Sequence, residues 1–154
     1  MSLPRRLRAL GKRAAILILR YTPLSWKRKR MIIWLLSPRH AVGVHAVLRD
    51  AAGRVLVLRS TYSRQWQLPG GGMVYHETPA QALRREVREE TGLELRAARL
   101  AAVLTGAEGR GLHLVFAAEA EPAPIRLSEE HSEWRYVPVE ELRGLYRTCV
   151  EAAG

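Results

Sequence analysis

The sequence predicts an α/β domain preceded by a basic, helical N-terminal extension. Three observations lead to this prediction. Strand-like apolar stretches recur after residue 41, one sharply delimited helix lies between them, and the first 49 residues hold twelve Lys and Arg but no acid. The remaining residues hold thirteen Arg and all fifteen acids, for a net charge of −2. The overall charge of +10 therefore belongs to the extension, and it does not predict a nucleic-acid partner for the domain.

We place the extension at residues 1–38 and the domain at residues 39–154. Leucines at three- and four-residue spacing predict a helix with an apolar stripe before Pro23, and a second helix is predicted from Trp26 to Leu36. A basic amphipathic helix is typical of contact with an anionic membrane surface. The stripe equally suits packing on the domain or at a homodimer interface, and a mitochondrial presequence is a third interpretation.

Cys149 is the single cysteine, so neither an internal disulfide nor a cysteine-rich zinc site is expected. The longest apolar runs fall short of the roughly 20 residues that a membrane-spanning helix needs. We therefore expect a cytoplasmic protein, with the extension as its only candidate for peripheral membrane contact.

The domain begins with two predicted strands. Residues 41–49 alternate and are rich in valine, residues 50–53 form a turn, and residues 55–59 form the second strand. Their spacing predicts that the two strands pair as a hairpin. Residues 68–72 contain a proline and three glycines and are predicted to form a loop.

The strongest single prediction is a helix over residues 79–91. Thr78 and Pro79 are residues that open helices, and Gly92 is a residue that ends them. Two further strands, a short strand and a final helix complete the domain. They are predicted at residues 95–104, 112–119, 134–137 and 138–147, respectively.

Three carboxylates share one face of the predicted helix, because Glu86, Glu89 and Glu90 stand at positions i, i+3 and i+4. Like charges at this spacing repel one another unless a cation lies among them. Carboxylate oxygens suit hard cations such as Mg²⁺ or Mn²⁺. A solvated acidic face explains single glutamates. It does not explain their combination with Arg85 and the glycine run just before the helix.

Residues 71–93, GGMVYHETPAQALRREVREETGL, closely resemble the signature of the Nudix hydrolases. That signature is G-x5-E-x7-R-E-U-x-E-E-x-G-U, where U is aliphatic. All nine constrained positions are filled, by Gly71, Glu77, Arg85, Glu86, Val87, Glu89, Glu90, Gly92 and Leu93. The likeness extends over roughly residues 41–147 and leaves out the extension.

The resemblance implies an α/β/α sandwich with a mixed central sheet. It implies an enzyme that uses Mg²⁺ or Mn²⁺ to cleave a diphosphate linkage in a nucleoside diphosphate derivative. The implied metal ligands are Glu86, Glu89, Glu90 and the carbonyl of Gly70. Structural support of the signature falls to Gly71, Glu77, Arg85 and Gly92.

The general base is expected on the segment just before Trp134. Glu130 is the first candidate and Glu133 the second, and both also fit ordinary surface acids. Substrate contacts are predicted for Arg59, Arg64, Trp66 and His76, which supply cations and aromatic rings near the signature. Each of these four has a plainer interpretation as a solvated or packed side chain.

A second class of function stays open at this point: a Nudix-fold module that binds a nucleotide or RNA and regulates without catalysis. The intact carboxylates argue against it. Isomerase chemistry on an isoprenoid diphosphate is a third class. It would need a cysteine near the site, and Cys149 lies close to the C-terminus. The expected partner is a small nucleoside diphosphate-type substrate, not a nucleic acid.

Overall fold

The computed structural model describes residues 21, 23–36, 41–106 and 111–154. Contacts divide the chain into two compact units, Met1–Arg39 and His40–Gly154. In the first unit, helix α1 spans Trp26–Leu36, as predicted. The helix predicted before Pro23 lies outside the described residues, and the role of the extension stays a prediction. Within the described residues, no helix combines the length and apolar character needed to cross a membrane.

The second unit contains seven strands, two α-helices and one 3₁₀ turn in its described part. In chain order these are β1 (Val42–Leu48), β2 (Val55–Ser60), β3 (Trp66–Gln67), β4 (Gly70–Gly72), α2 (Pro79–Thr91), β5 (Leu95–Thr105), β6 (Leu112–Ala120), β7 (His131–Val137), the 3₁₀ turn Val139–Glu141 and α3 (Gly144–Ala153).

The strands form two sheets. The first has the order β4-β1-β6-β5 and is mixed, because β1 runs parallel to β6 while the other pairs are antiparallel. The second has the order β3-β2-β7 and is antiparallel. The predicted α/β class with a mixed sheet is confirmed.

Two buried clusters hold the helices on opposite sides of the strands. Val44, Ala46 and Leu48 of β1 pack with residues of α2, whereas Val47 packs with Cys149 and Val150 of α3. Alternation along a strand sends neighbouring side chains to opposite faces, so β1 serves both clusters. This arrangement places α2 on one face and α3 on the other.

Three local predictions are wrong. β1 and β2 share only the bridge between Arg49 and Val55, because β4 and β6 occupy both edges of β1. The glycine segment is not a loop throughout, since Gly70–Gly72 forms β4 against β1. The last helix does not start at Pro138: a 3₁₀ turn ends at extended Leu142, and α3 begins at Gly144.

Candidate active site

Helix α2 carries the glutamates, and its ends are fixed by local chemistry. The Thr78 side chain accepts a hydrogen bond from the Gln81 backbone N–H, while the Gln81 side chain accepts one from the Thr78 N–H. This reciprocal capping satisfies two donors that a helix start would otherwise leave unpaired. At the other end Gly92 adopts φ 70°, a left-handed conformation that glycine takes without strain. The helix bounds agree with the prediction.

The three glutamates of α2 differ in burial. Glu90 is 5% exposed, and its Oε2 accepts a hydrogen bond of 2.7 Å from the backbone N–H of Gly70. Glu86 is mostly buried, while Glu89 is largely exposed. The helix therefore presents a graded acidic face that runs from the inner Glu90 to the solvent.

Arg85 ties this face to the segment before the helix. Its guanidinium donates to both carboxylate oxygens of Glu77 at 3.0 and 3.2 Å, to Glu86 at 2.7 Å and to Glu89 at 3.1 Å. It also donates to the carbonyl of Gly72 at 3.0 Å. Glu77 in turn accepts the Val74 N–H. One planar cation with several donors thus fixes the glycine strand, the loop and the helix together.

Strand β4 approaches the helix closely because it has no side chains. A Cβ added at Gly71 would lie 2.7 Å from the carboxylate of Glu86. A Cβ at Gly70 would lie 2.0 Å from the Val44 carbonyl oxygen, and Gly70 has φ 142°. Glycine is required at position 70 by its φ angle and by the backbone contact, whereas a side chain at position 71 would displace the carboxylate of Glu86. The result is a backbone segment in direct contact with the acidic face.

Burial and mutual repulsion disfavour the ionised form of the inner carboxylates. Burial raises the pKa of Glu90 to about 8; the carboxylates of Glu86, Glu130 and Glu89 add to the rise, and the Gly70 N–H opposes it. Burial also raises the pKa of Glu86. By contrast, the hydrogen bonds from Arg85 lower the pKa of Glu77. A bound cation would therefore stabilise the ionised form of the inner carboxylates.

The sequence prediction missed a buried neighbour of Glu90. The side chain of His131 is 1% exposed, and its Nε2 lies 3.6 Å from Glu90 Oε1 and 3.1 Å from Gln67 Nε2. Burial lowers the pKa of His131. The prediction started the last strand at Trp134, whereas β7 starts at His131. A predicted strand that began three residues earlier would have included this side chain.

The two candidate bases lie in different surroundings. Glu130 is close enough to Glu86 and Glu90 to raise the pKa of both carboxyls, and its carbonyl accepts the Thr61 N–H at 2.9 Å. Glu133 instead pairs with Arg59 at 2.6 Å at the surface. Of the two, Glu130 belongs to the acidic site.

The contacts that the structure describes for the four predicted substrate-binding residues are with residues other than the three glutamates. Arg59 is held by Glu133, and Arg64 and His76 are exposed residues with positive φ angles of 56° and 69°. Trp66 precedes Gln67 in β3, so the two point to opposite faces, and Trp66 packs in the α3 cluster beneath Arg135. Their contact with substrate stays a prediction.

Within the described part of the chain, no three His, Cys, Asp or Glu side chains already converge as metal ligands. Arg85 contacts one oxygen each of Glu86 and Glu89. The carboxylate oxygens suit a hard divalent cation, and Arg85 holds the acidic face in place through its hydrogen bonds.

Comparison with known proteins settles the family. The sequence profile of the NUDIX domain matches residues 39–152. The chain belongs to the NUDIX family. The resemblance first seen in the signature is thereby confirmed.

Individual NUDIX relatives agree with this assignment. A MutT-like protein of Streptomyces ambofaciens is 31% identical over 105 residues, which cover 68% of each chain. An RNA pyrophosphohydrolase of Pseudomonas paraeruginosa is 43% identical over 68 residues, but these span only 44% of this chain and 42% of that protein. The crystal structure of a MutT NUDIX hydrolase from Burkholderia pseudomallei superimposes with a TM-score of 0.66 at 25% identity, covering 76% of this chain and all of that one.

Proposed function

We propose that this NUDIX protein hydrolyses a diphosphate linkage in a nucleoside diphosphate derivative, using Mg²⁺ or Mn²⁺ at the acidic face of α2. The observation that carries the proposal is the inner carboxylate Glu90, which is held by the Gly70 amide and has its pKa raised by burial to about 8. A carboxylate buried in this way gains most from a bound cation. The hydrolase names of the NUDIX relatives support the same reaction class.

The residues present fit a divalent cation. Glu86, Glu89 and Glu90 supply hard oxygen donors on one helix face, and Gly70 supplies a backbone carbonyl on the strand beside it. We assign these four residues as the ligands. Arg85 and Glu77 act as positioning residues, because their ion pair fixes the helix to β4.

Each group then has a definite task in hydrolysis. When bound, the cation neutralises the diphosphate and favours attack by water on phosphorus. Glu130 accepts the proton from the attacking water, since its charge is near enough to Glu86 and Glu90 to raise the pKa of both carboxyls. The phosphorus–oxygen bond of the linkage breaks, and the products leave as two phosphate esters or as an ester and free phosphate. Arg59, Arg64, Trp66 and His76 are proposed to contact the parts of the substrate beyond the diphosphate.

The 5′ end of RNA is a second candidate substrate. The shorter matches to RNA pyrophosphohydrolases favour it, although the chain spans less than half the length of those relatives. The comparisons therefore do not support the prediction that the protein has no nucleic-acid partner. The chemistry at phosphorus would be the same for RNA and for a small nucleotide.

A substrate panel tests the proposal. Nucleotide sugars, dinucleoside polyphosphates, nucleoside triphosphates and a 5′-triphosphorylated RNA are incubated with the full chain and Mg²⁺, Mn²⁺ or EDTA, and products are separated by ion-exchange chromatography. We expect one class to be hydrolysed with either cation and none with EDTA. Hydrolysis unaffected by EDTA would refute the metal assignment. No hydrolysis of any class would favour the non-catalytic nucleotide-binding module.

A further inference from the structure

Four cations stand together at the start of helix α1, in the first unit of the chain. Lys27, Arg28, Lys29 and Arg30 follow one another directly after Trp26. Lys29 is half-buried and the other three are exposed. The first 49 residues contain no acid, and the ion pairs found within the described residues all lie in the second unit. The positive charge of this cluster is therefore not balanced by a described acidic side chain.

This distribution of charge is unfavourable for the helix itself. The N-terminal end of an α-helix carries a partial positive charge, which is stabilised by acids and destabilised by cations. Like charges on neighbouring turns of a helix also repel one another. Helix α1 has no acid in its first turn and no base in its last turn. An anionic partner would reduce this repulsion, so the cluster is better suited to binding than to stabilising the helix.

The second half of α1 is apolar. Residues 31–36 have the sequence MIIWLL, which completes more than one helical turn without a polar residue. Trp26 and Met31, which flank the cations, are 69% and 56% exposed. Tryptophan next to cations is typical of segments that lie at the boundary between water and a lipid bilayer. The helix therefore has a cationic first half and an apolar second half.

An anionic lipid surface fits both halves of the helix. Its negative headgroups attract clusters of Lys and Arg, and its hydrocarbon begins directly below them. RNA offers phosphates to the cations and bases to Trp26, but it has no apolar surface for residues 31–36. A second copy of the extension would bring the same cations and no acid.

We propose that α1 binds membranes that contain anionic phospholipids. The four cations contact the headgroups, while Trp26 and residues 31–36 enter the interfacial layer. The helix has 11 residues, too few for a span of roughly 20, so the contact is peripheral. This inference concerns the surface on which the protein acts, and it goes beyond the proposed hydrolysis.

Sedimentation of the full chain with lipid vesicles tests the inference. Vesicles of phosphatidylcholine alone are compared with vesicles that also contain phosphatidylglycerol, at ionic strengths of about 0.1 M and about 1 M. We expect binding to the anionic vesicles that weakens at least about tenfold at the higher ionic strength, and little binding to the neutral ones. Equal binding to both kinds of vesicle, or binding to neither, would overturn the inference.

A quadruple variant tests the cations of α1 and replaces each of them by glutamine: Lys27→Gln, Arg28→Gln, Lys29→Gln and Arg30→Gln. We expect its affinity for the anionic vesicles to fall at least about a hundredfold, because each cation near such a surface contributes about fivefold. The matched control removes the same charge from exposed arginines of the second unit, namely Arg54, Arg88, Arg96 and Arg147. The control should bind like the wild type. Equal losses in the two variants would show that overall charge governs binding, and would overturn the assignment to α1.

Trp26→Ala tests the contact with lipid, since it removes an exposed indole and keeps every cation. We expect about tenfold weaker binding to the anionic vesicles, the effect of one large aromatic side chain that is no longer buried. A single-stranded RNA is the competing ligand. Vesicle binding unchanged in Trp26→Ala, together with RNA binding that the quadruple variant loses, would make α1 a nucleic-acid site. A wild-type dimer that the quadruple variant dissociates, without vesicle binding, would make α1 a subunit contact.

Turnover distinguishes this inference from the proposed function. Without vesicles, the quadruple variant and Trp26→Ala should hydrolyse a soluble substrate at the wild-type rate, because none of the replaced residues belongs to the acidic face of α2. Vesicle binding through α1 in a chain that hydrolyses nothing would remove the proposed function and leave the inference standing. Hydrolysis by a chain that binds no vesicles would do the reverse.

Discussion

Gly70 and Glu90 are joined by a hydrogen bond of 2.7 Å from the backbone N–H to Oε2. The bond links strand β4 to the last turn of α2 and orients the most buried carboxylate of the site. Position 70 must be glycine for the backbone to approach this closely, and burial raises the pKa of the Glu90 carboxyl that the Gly70 N–H binds.

Glu90→Gln should abolish turnover and leave the fold intact. The amide keeps the shape and an acceptor for the Gly70 N–H, but it removes the charge that a divalent cation requires. We expect kcat/KM to fall by at least about a hundredfold, since residues that merely support metal ligands cost about 10–100-fold. Steady-state kinetics on the substrate found by the panel measures this, with circular dichroism as the check on folding. Wild-type activity would remove Glu90 from the ligand set.

The raised pKa of Glu90 predicts a metal-free stability that falls as the pH rises. The folded carboxyl keeps its proton up to about pH 8, whereas the unfolded one loses it near pH 4.5. The contribution of Glu90 to the free energy of unfolding is therefore fully present below about pH 4.5 and is lost as the pH rises to about 8. In EDTA, the thermal midpoint of the wild type should drop relative to Glu90→Gln between pH 5 and 8. Parallel curves would show that Glu90 ionises normally.

Arg85→Ala should destabilise the domain far more than Arg88→Ala. Arg85 contacts three carboxylates and a carbonyl, whereas among the described residues Arg88 forms a surface ion pair with Glu94. For Arg85 we expect a loss of roughly 1–2 kcal/mol in the free energy of unfolding, after allowing for its partial exposure, and a large loss of activity. Urea denaturation of both variants makes the comparison. Equal losses of stability in the two variants would mean that the contacts of Arg85 do not hold the site together.

Gly71→Ala and Gly72→Ala form a second matched pair. A Cβ at Gly71 would collide with the Glu86 carboxylate at 2.7 Å, while a Cβ at Gly72 meets nothing within 4 Å. The first substitution should displace the Glu86 carboxylate from its place beside β4, with loss of activity and a smaller effect on stability. The second should be nearly neutral. Thermal unfolding and kinetics check both, and a fully active Gly71→Ala would contradict the close approach of β4 to α2.

Glu130→Gln should lower kcat with little change in KM, by about 10²–10⁴-fold, the usual contribution of a general base. Glu133→Gln should have a small effect, because it breaks only the surface pair with Arg59. Steady-state kinetics of the two variants separates the candidates. A loss confined to Glu133→Gln would transfer the role to that residue.

Much of the domain could be predicted because its signals are local. Thr78, Pro79 and Gly92 mark the ends of α2 by their own backbone and capping chemistry, and the spacing of the glutamates follows from helix geometry. The resemblance likewise implied structural roles for Arg85 and Glu77, although their contact is seen only in the structure. These features depend on residues near one another in sequence.

The features that were missed depend on distant pairing. The strand β4 exists because β1 offers it an edge, and the predicted hairpin fails because that edge is already taken. His131 reaches Glu90 across 41 positions of the chain, and His45 reaches His113 across 68. No local periodicity specifies such contacts, so only the three-dimensional structure reveals them.

Binding of Mn²⁺ tests the central claim, a divalent-cation site at Glu86, Glu89 and Glu90, most directly. Electron paramagnetic resonance follows free Mn²⁺ during titration of the full chain without substrate. We predict saturable binding by the wild type that Mg²⁺ displaces, and binding weakened at least tenfold in Glu90→Gln but not in Glu119→Gln, whose carboxylate lies on β6. Equal Mn²⁺ affinity in the wild type and in Glu90→Gln would contradict the account.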